Sequence, residues 1–170
     1  STSTGLSVTD ANAITGTSSS NMWIAGWDVF TGGFIAHYNG SQWSIVLSLN
    51  VSGTRIYDIE AISSTNVVAV GFSGIYRYDG TSWTQEASTL TQNARFTSVS
   101  VASPTEIFAV GDFGTILRYD GSAWRVDRSR SQGGSIAGDS SAISGNELYF
   151  GGRFNNRSAL YRWTGSALQQ

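Results

Sequence analysis

The sequence has no cysteine, one proline, one histidine and, among its ten basic residues, no lysine. Without cysteine there are no disulfides and no thiol chemistry, and the redox compartment leaves no mark on the chain. A single histidine cannot supply a two-imidazole zinc site. Charged residues make up 13 % of the chain and the net charge is −2, which argues against a duplex nucleic-acid binder, since that would need a basic face. No run approaches the roughly 18 apolar residues of a membrane helix. A start at Ser1 without Met fits a processed export product or an excerpt, and we expect a secreted or extracytoplasmic protein.

What remains is rich in glycine (20 residues), aromatics (12 %) and Ser/Thr. That balance predicts an all-β chain with many tight turns and a polar surface made mostly of hydroxyls. At 170 residues it is long enough for one domain with a substantial core.

The ordering of these residues is periodic. VGDFGTILRYDGSAW (Val110 to Trp124) matches VGFSGIYRYDGTSW (Val70 to Trp83), AGWDVFTGGFIAHYNGSQW (Ala25 to Trp43) and GGRFNNRSALYRWTGSAL (Gly151 to Leu168). The aligned glycines Gly26, Gly71, Gly111 and Gly152 are 45, 40 and 41 residues apart by subtraction. A second aligned set is Gly40, Gly80, Gly121 and Gly165. Weaker matches precede each copy: ITGTSSSN, IEAISSTN, VSVASPTE and SSAISGNE. Four copies of roughly 40 residues fill nearly the whole chain.

Each copy reads as four short strands, a to d. Strand a is the Ser/Thr-rich lead, strand b is MWIA, VVAV, IFAV or LYFG, and strand c is FIAHY, IYRY, TILRY or ALYRW. Strand d begins at Trp43, Trp83 or Trp124, with Leu168 replacing the Trp in the last copy. Strand b is apolar throughout, which predicts burial on both faces. Asn-Gly or Asp-Gly between c and d suits a tight hairpin at positive φ, and the following Trp can pin strand d down. A four-stranded sheet buried on both faces must stack on its neighbours. The architecture expected is a β-propeller of four four-stranded antiparallel blades, near residues 10–50, 54–90, 94–130 and 134–170, in one domain spanning 1–170. The fourth strand d stops short, and 3–9 offers itself as a closing outer strand. Three closures stay open: a four-bladed ring, a homodimer completing eight blades, or part of a longer propeller.

The G…R-Y-D-G-x-x-W pattern resembles the propeller repeats of secreted bacterial proteins and is similar, more distantly, to kelch repeats. It departs from the sialidase Asp-box, in which one residue separates Asp from Gly. The resemblance implies a fold that serves binders, scaffolds and enzymes alike.

Function is less legible. The b–c hairpins vary most, with inserts at Trp27–Gly33 in copy one and Arg153–Ala159 in copy four. Trp27 and Phe30 with Arg153, Asn155 and Arg157 form the candidate ligand-binding set, suited to a sugar or an acidic peptide, provided that ring closure makes the first and last blades neighbours. The aromatics after the glycine (Trp27, Phe72, Phe113, Phe154) have a plainer reading as fillers between blades. Recurrence assigns Arg77, Arg118 and Arg162, with His37 in copy one, to structure. Asn39, Asp79 and Asp120 are assigned to the turn, and the Arg cluster RVDRSR to a solvated loop. Asp10, Asp58, Glu60 and Asp139 would line a channel, but no spacing marks them as a catalytic pair or a Ca²⁺ loop. We expect a non-catalytic recognition module, without cofactor or metal, that binds protein at the b–c loops. Carbohydrate binding is the alternative, and a propeller fragment of an enzyme the second.

Overall fold

The computed structural model describes residues 6–72, 74–91, 94–128, 137–144, 147–154 and 157–169. They form four antiparallel meanders. The first joins β1 (Asp10–Ser18), β2 (Asn21–Asp28), β3 (Gly32–Tyr38) and β4 (Trp43–Ser48); the second β5 (Ile56–Ser63), β6 (Asn66–Gly71), β7 (Gly74–Tyr78) and β8 (Trp83–Glu86). A single helical turn, α1 (Ser88–Thr91), leads to the third, β9 (Phe96–Ser103), β10 (Glu106–Gly111), β11 (Ile116–Tyr119) and β12 (Trp124–Arg128). The fourth is β13 (Ala137–Ser144), β14 (Glu147–Phe154), β15 (Arg157–Trp163) and β16 (Leu168–Gln169). Among the described residues no helix is long and apolar enough to cross a membrane.

The sheets stack face to face as propeller blades, with β1, β5, β9 and β13 running side by side along the inner edge. Each junction buries one apolar cluster shared by consecutive blades. Trp23, Ala25 and Ile35 meet Ile56, Ile59, Val67, Ala69 and Tyr76. Val68, Val70 and Ile75 meet Phe96, Val99, Ile107, Ala109 and Leu117. Phe108, Val110 and Ile116 meet Leu148, Phe150, Tyr161 and Trp163. Strand b therefore feeds two cores at once: alternate residues of Val67–Val70 point into different clusters, and all four are fully buried. This is why its sequence does not alternate.

The inner strands are joined by side chains. Thr15 Oγ1 accepts from Ala61 N (3.1 Å), Asp58 Oδ2 from Val99 N (2.9 Å) and Glu60 Oε2 from Val101 N (3.1 Å), while Asn12 Nδ2 donates to Ile56 O (2.7 Å). Beyond them a hydroxyl chain links Ser98, Ser141 and Ser100 at 3.0 and 2.7 Å.

The D-G-x-x-W motif is turn chemistry. Asp79 Oδ1 accepts from Thr81 N and Ser82 N, both at 2.8 Å; Asp120 Oδ1 accepts from Ser122 N and Ala123 N, both at 3.0 Å; Asn39 plays the same part in the first blade. Only the glycine takes positive φ (+96° at Gly80), and the link is a four-residue Asx turn between Tyr78 and Trp83. Tyr78 Oη donates to Gly80 O at 2.8 Å, and Trp83 packs on Tyr78 with ring centroids 5.5 Å apart. The recurrent strand-c side chain reaches back to the first residue of strand b: Arg77 to Asn66 (3.1 Å), Arg118 to Glu106 (2.6 Å), Arg162 to Glu147 (2.6 Å) and His37 to Asn21 (2.6 Å). RVDRSR is not a loop over its first four residues, which lie in β12, where Asp127 accepts from the Trp163 indole at 3.2 Å.

Two expectations about closure change. Of segment 3–9, residues 6–9 are in no strand, and β16 itself takes the outer position of the fourth sheet. The four blades make an open arc: the sheets do not close, and the first and fourth share no apolar cluster among the described residues.

Candidate functional site

One end of the arc collects the b–c hairpins and the d–a connections, because both lead to the same edge of each meander. The expected set divides there. In the first blade Asp28 shapes the hairpin, its Oδ1 accepting from Phe30 N (3.0 Å) and Thr31 N (3.3 Å). These donors, Phe30 N foremost, hold the Asp28 carboxyl below its ordinary pKa. The turn leaves Phe30 87 % exposed. Trp27 is half-buried beneath the Arg55 guanidinium, 4.3 Å from its ring centroid. Arg153 is the penultimate residue of strand b and Arg157 opens strand c of the fourth blade, and Asn155 lies outside the described residues. The open arc leaves two blades between these hairpins, so a single chain does not bring the two groups together.

A different junction carries a cleft. Between the second and third blades a cavity of about 420 Å³ is lined by Gly53, Tyr57, Phe72, Arg95, Asp112 and Phe113, among others. The chain positions these residues with little freedom. Gly71 and Gly111 end strand b against the entry to strand a of their own blade. Phe72 N then donates to Arg55 O, and Asp112 N to Arg95 O, both at 2.9 Å. A short 3₁₀ turn, Asp112–Gly114, places Phe113 at φ +59°. Phe72 and Phe113 are 42 % and 41 % exposed, so they rim the cleft and do not serve only as fillers between blades.

The polar half of the cleft is an ion pair. Arg95 Nε and Nη2 donate to the two carboxylate oxygens of Asp112 at 3.0 and 2.8 Å. Its guanidinium also sits 5.7 Å from the Tyr57 ring centroid. The Asp112 hydrogen bonds, reinforced by Tyr57, raise the Arg95 pKa, so the cation is permanent. The fork is planar and fixed, with donors satisfied on one side and an aromatic beneath it.

The sequence reading missed Arg55 and Arg95. A signal was present: TRIYDIEA and ARFTSVSV place an Arg immediately before strand a in two successive copies. The weak similarity of these leads hid it. Asp58 and Glu60 do not line the cleft. Burial pushes both carboxyls above their ordinary pKa values, and the Asp58 charge adds to the effect at Glu60. Among the described residues no group of three His, Cys, Asp or Glu is gathered as a metal site.

No protein-family model and no curated protein matches the chain. Solved structures do. The chain is similar to YCF48 in a structure with bound D1 peptide, at 14 % identity over 89 % of this chain and 54 % of that one, TM-score 0.61. It is similar to the RRP9 WD40 repeats at 11 % identity over 93 % and 51 %, TM-score 0.65. A third is the GH74 xyloglucanase from Xanthomonas campestris, at 13 % identity over 88 % and 28 %, TM-score 0.62. The chain thus spans about half the length of the first two and under a third of the last. At such identities the likeness shows the fold alone, a run of β-propeller blades.

Proposed function

We propose that this chain is a recognition module that holds an extended protein segment at the b–c loop end, across the junction of its second and third blades. The observation that carries this is the cleft in which two partly exposed phenylalanines, Phe72 and Phe113, flank the bidentate Arg95–Asp112 pair. Its volume falls in the range of ligand sites, about 300–1,000 Å³. The aromatic rims suit an apolar side chain. The guanidinium edge suits a backbone carbonyl or a carboxylate, and Asp112 suits an N–H donor. Support comes from the similar YCF48 fold seen with a peptide bound. The reading is non-catalytic: the inner-strand carboxylates Asp58 and Glu60 are committed to backbone N–H groups of the next blade. The low charge, the Ser/Thr-rich surface and the repeat motif fit the secreted bacterial propeller repeats, and we place the module outside the cytoplasm.

Selection from a random-peptide library against the immobilised chain tests the reading, followed by titration of an enriched peptide. Phe113→Ser and Arg95→Gln should each weaken binding at least about tenfold, equivalent to ~1.4 kcal/mol, with Phe30→Ala unchanged. No enrichment over a scrambled pool, or equal binding by all three variants, refutes it. A carbohydrate reading rests on Phe30, an aromatic exposed at a hairpin tip. Sugar binding on a glycan array, lost in Phe30→Ala, would favour that alternative.

A further inference from the structure

We propose that the segment held at the cleft is acidic, and that Arg55 takes the carboxylate of one of its Asp or Glu side chains. This rests on the peptide reading and names the chemistry of its partner. Two arginines share one repeat position. Arg55 and Arg95 each precede strand a of their blade, and each offers its backbone carbonyl to the residue after the glycine of strand b. Arg55 O accepts from Phe72 N and Arg95 O from Asp112 N, both at 2.9 Å. Each guanidinium also lies over a ring of the preceding blade: Arg55 over Trp27 at 4.3 Å, Arg95 over Tyr57 at 5.7 Å.

The two differ in their counter-ion. Asp112 returns its carboxylate to Arg95, at 3.0 and 2.8 Å, whereas the residue in that place for Arg55 is Phe72. Among the described residues no carboxylate pairs with Arg55 and no hydrogen bond takes up its N–H groups. Asp28, next to Trp27 in the chain, is spent on Phe30 N, Thr31 N and the Thr9 hydroxyl. Arg55 is half-buried, so a carboxylate gains more from it than from a fully hydrated cation. Stacking on Trp27 pre-orders the planar fork, and little rotamer freedom is lost on pairing. Its place is the margin of the cleft: Gly53 and Tyr57, two residues to either side, line the cavity, and Phe72, bonded to its carbonyl, rims it. With Arg95 neutralised by Asp112, the uncompensated charge there is that of Arg55. A segment that seats an apolar side chain between Phe72 and Phe113 carries its neighbouring residues past this cation. An acidic side chain on one of them does for Arg55 what Asp112 does for Arg95, and leaves the Arg95 edge to a backbone carbonyl.

Peptide selection run in parallel on the wild type and Arg55→Gln tests this, with circular dichroism to confirm that the variant is folded. The wild-type pool should carry Asp or Glu at one fixed offset from an apolar residue. The Arg55→Gln pool should keep the apolar residue and lose the acid. In titrations of an enriched peptide, Arg55→Gln should weaken binding about five- to tenfold. The acid-to-amide form of that peptide should bind both proteins equally weakly. Added salt should weaken binding to the wild type, a measurement that needs no variant. Amidating the peptide C-terminus should change nothing. Peptides that need Phe113 but show no acid preference, that bind Arg55→Gln as tightly as the wild type, or that depend on a free C-terminus would overturn this inference and leave the cleft reading standing. No enrichment at all would remove both.

Discussion

The glycine that ends strand b makes a sharp test of how the blades are built. At Gly71 an added Cβ would overlap the carbonyl oxygen of Arg55 and come within 3.0 Å of Ile56 Cα; at Gly111 it would overlap Arg95 O. The obstacle is backbone, so relief means moving the entry of β5 or β9 outward by on the order of 1 Å, which a close-packed interior resists. Those two carbonyls also accept the Phe72 and Asp112 hydrogen bonds, which the shift would break. Overpacking at about 1–3 kcal/mol and a lost hydrogen bond at about 0.5–1.5 kcal/mol give a loss of roughly 2–4 kcal/mol for Gly71→Ala or Gly111→Ala. For a chain of this length each kcal/mol moves Tm by about 2–4 °C, so calorimetry should show a fall on the order of 10 °C. Gly26→Ala should cost less. Its obstacle is Asp10 O, at the exposed start of β1, where the described residues 6–9 form no strand to hold the backbone in place. Equal Tm values for all three variants and the wild type, or Gly26→Ala as the most damaging, would refute the argument.

Other outcomes follow from single contacts. The Trp124 indole, 8 % exposed, donates to Glu86 of the preceding blade at 2.7 Å. Glu86→Ala should therefore cost about 1–3 kcal/mol in denaturant unfolding, and Glu86→Gln, which keeps an acceptor, clearly less. Burial raises the Asp58 carboxyl above its ordinary 3.8, so above that pH the native state binds more protons than the unfolded one. Stability contributed by this group falls as pH rises through the raised folded value; Tm should therefore gain from this group as pH is lowered through that value toward 3.8, and Asp58→Asn should remove that gain. Tyr78→Phe removes the hydroxyl bond to Gly80 O and should lower stability by about 0.5–1.5 kcal/mol in the same unfolding assay, leaving peptide binding unchanged.

The candidate site was legible only in part. Its location at the b–c loop end followed from loop variability, but the residues chosen there were those of the longest inserts. Trp27 proves to be capped by Arg55, and Phe72 and Phe113, read mainly as fillers, stand partly exposed. The reason is local geometry: an aromatic after the glycine is covered or bare according to what the next strand a places over it. At Trp27 that is a guanidinium, whereas at Phe72 the equivalent Arg95 is drawn away to Asp112. Asp112 follows its glycine as Trp27 and Phe72 follow theirs, so the aromatic of the third copy is displaced by one residue onto a left-handed turn. The displacement itself can be read from VGDF against VGFS, but the left-handed turn that takes it up cannot.

The four-strand blade belongs to the amino-acid sequence alone. Doubly apolar strand b, the Asx turn with its glycine and the Tyr–Trp pair are short-range instructions, repeated until no other fold satisfies them. Curvature, the gap between first and last blades, and the loops that become neighbours belong to the tertiary structure. They depend on the wedge angle at each junction, set by how side-chain volumes such as Trp23 against Tyr76 or Phe108 against Phe150 fill the space between sheets, and small angles summed over three junctions decide whether a ring closes.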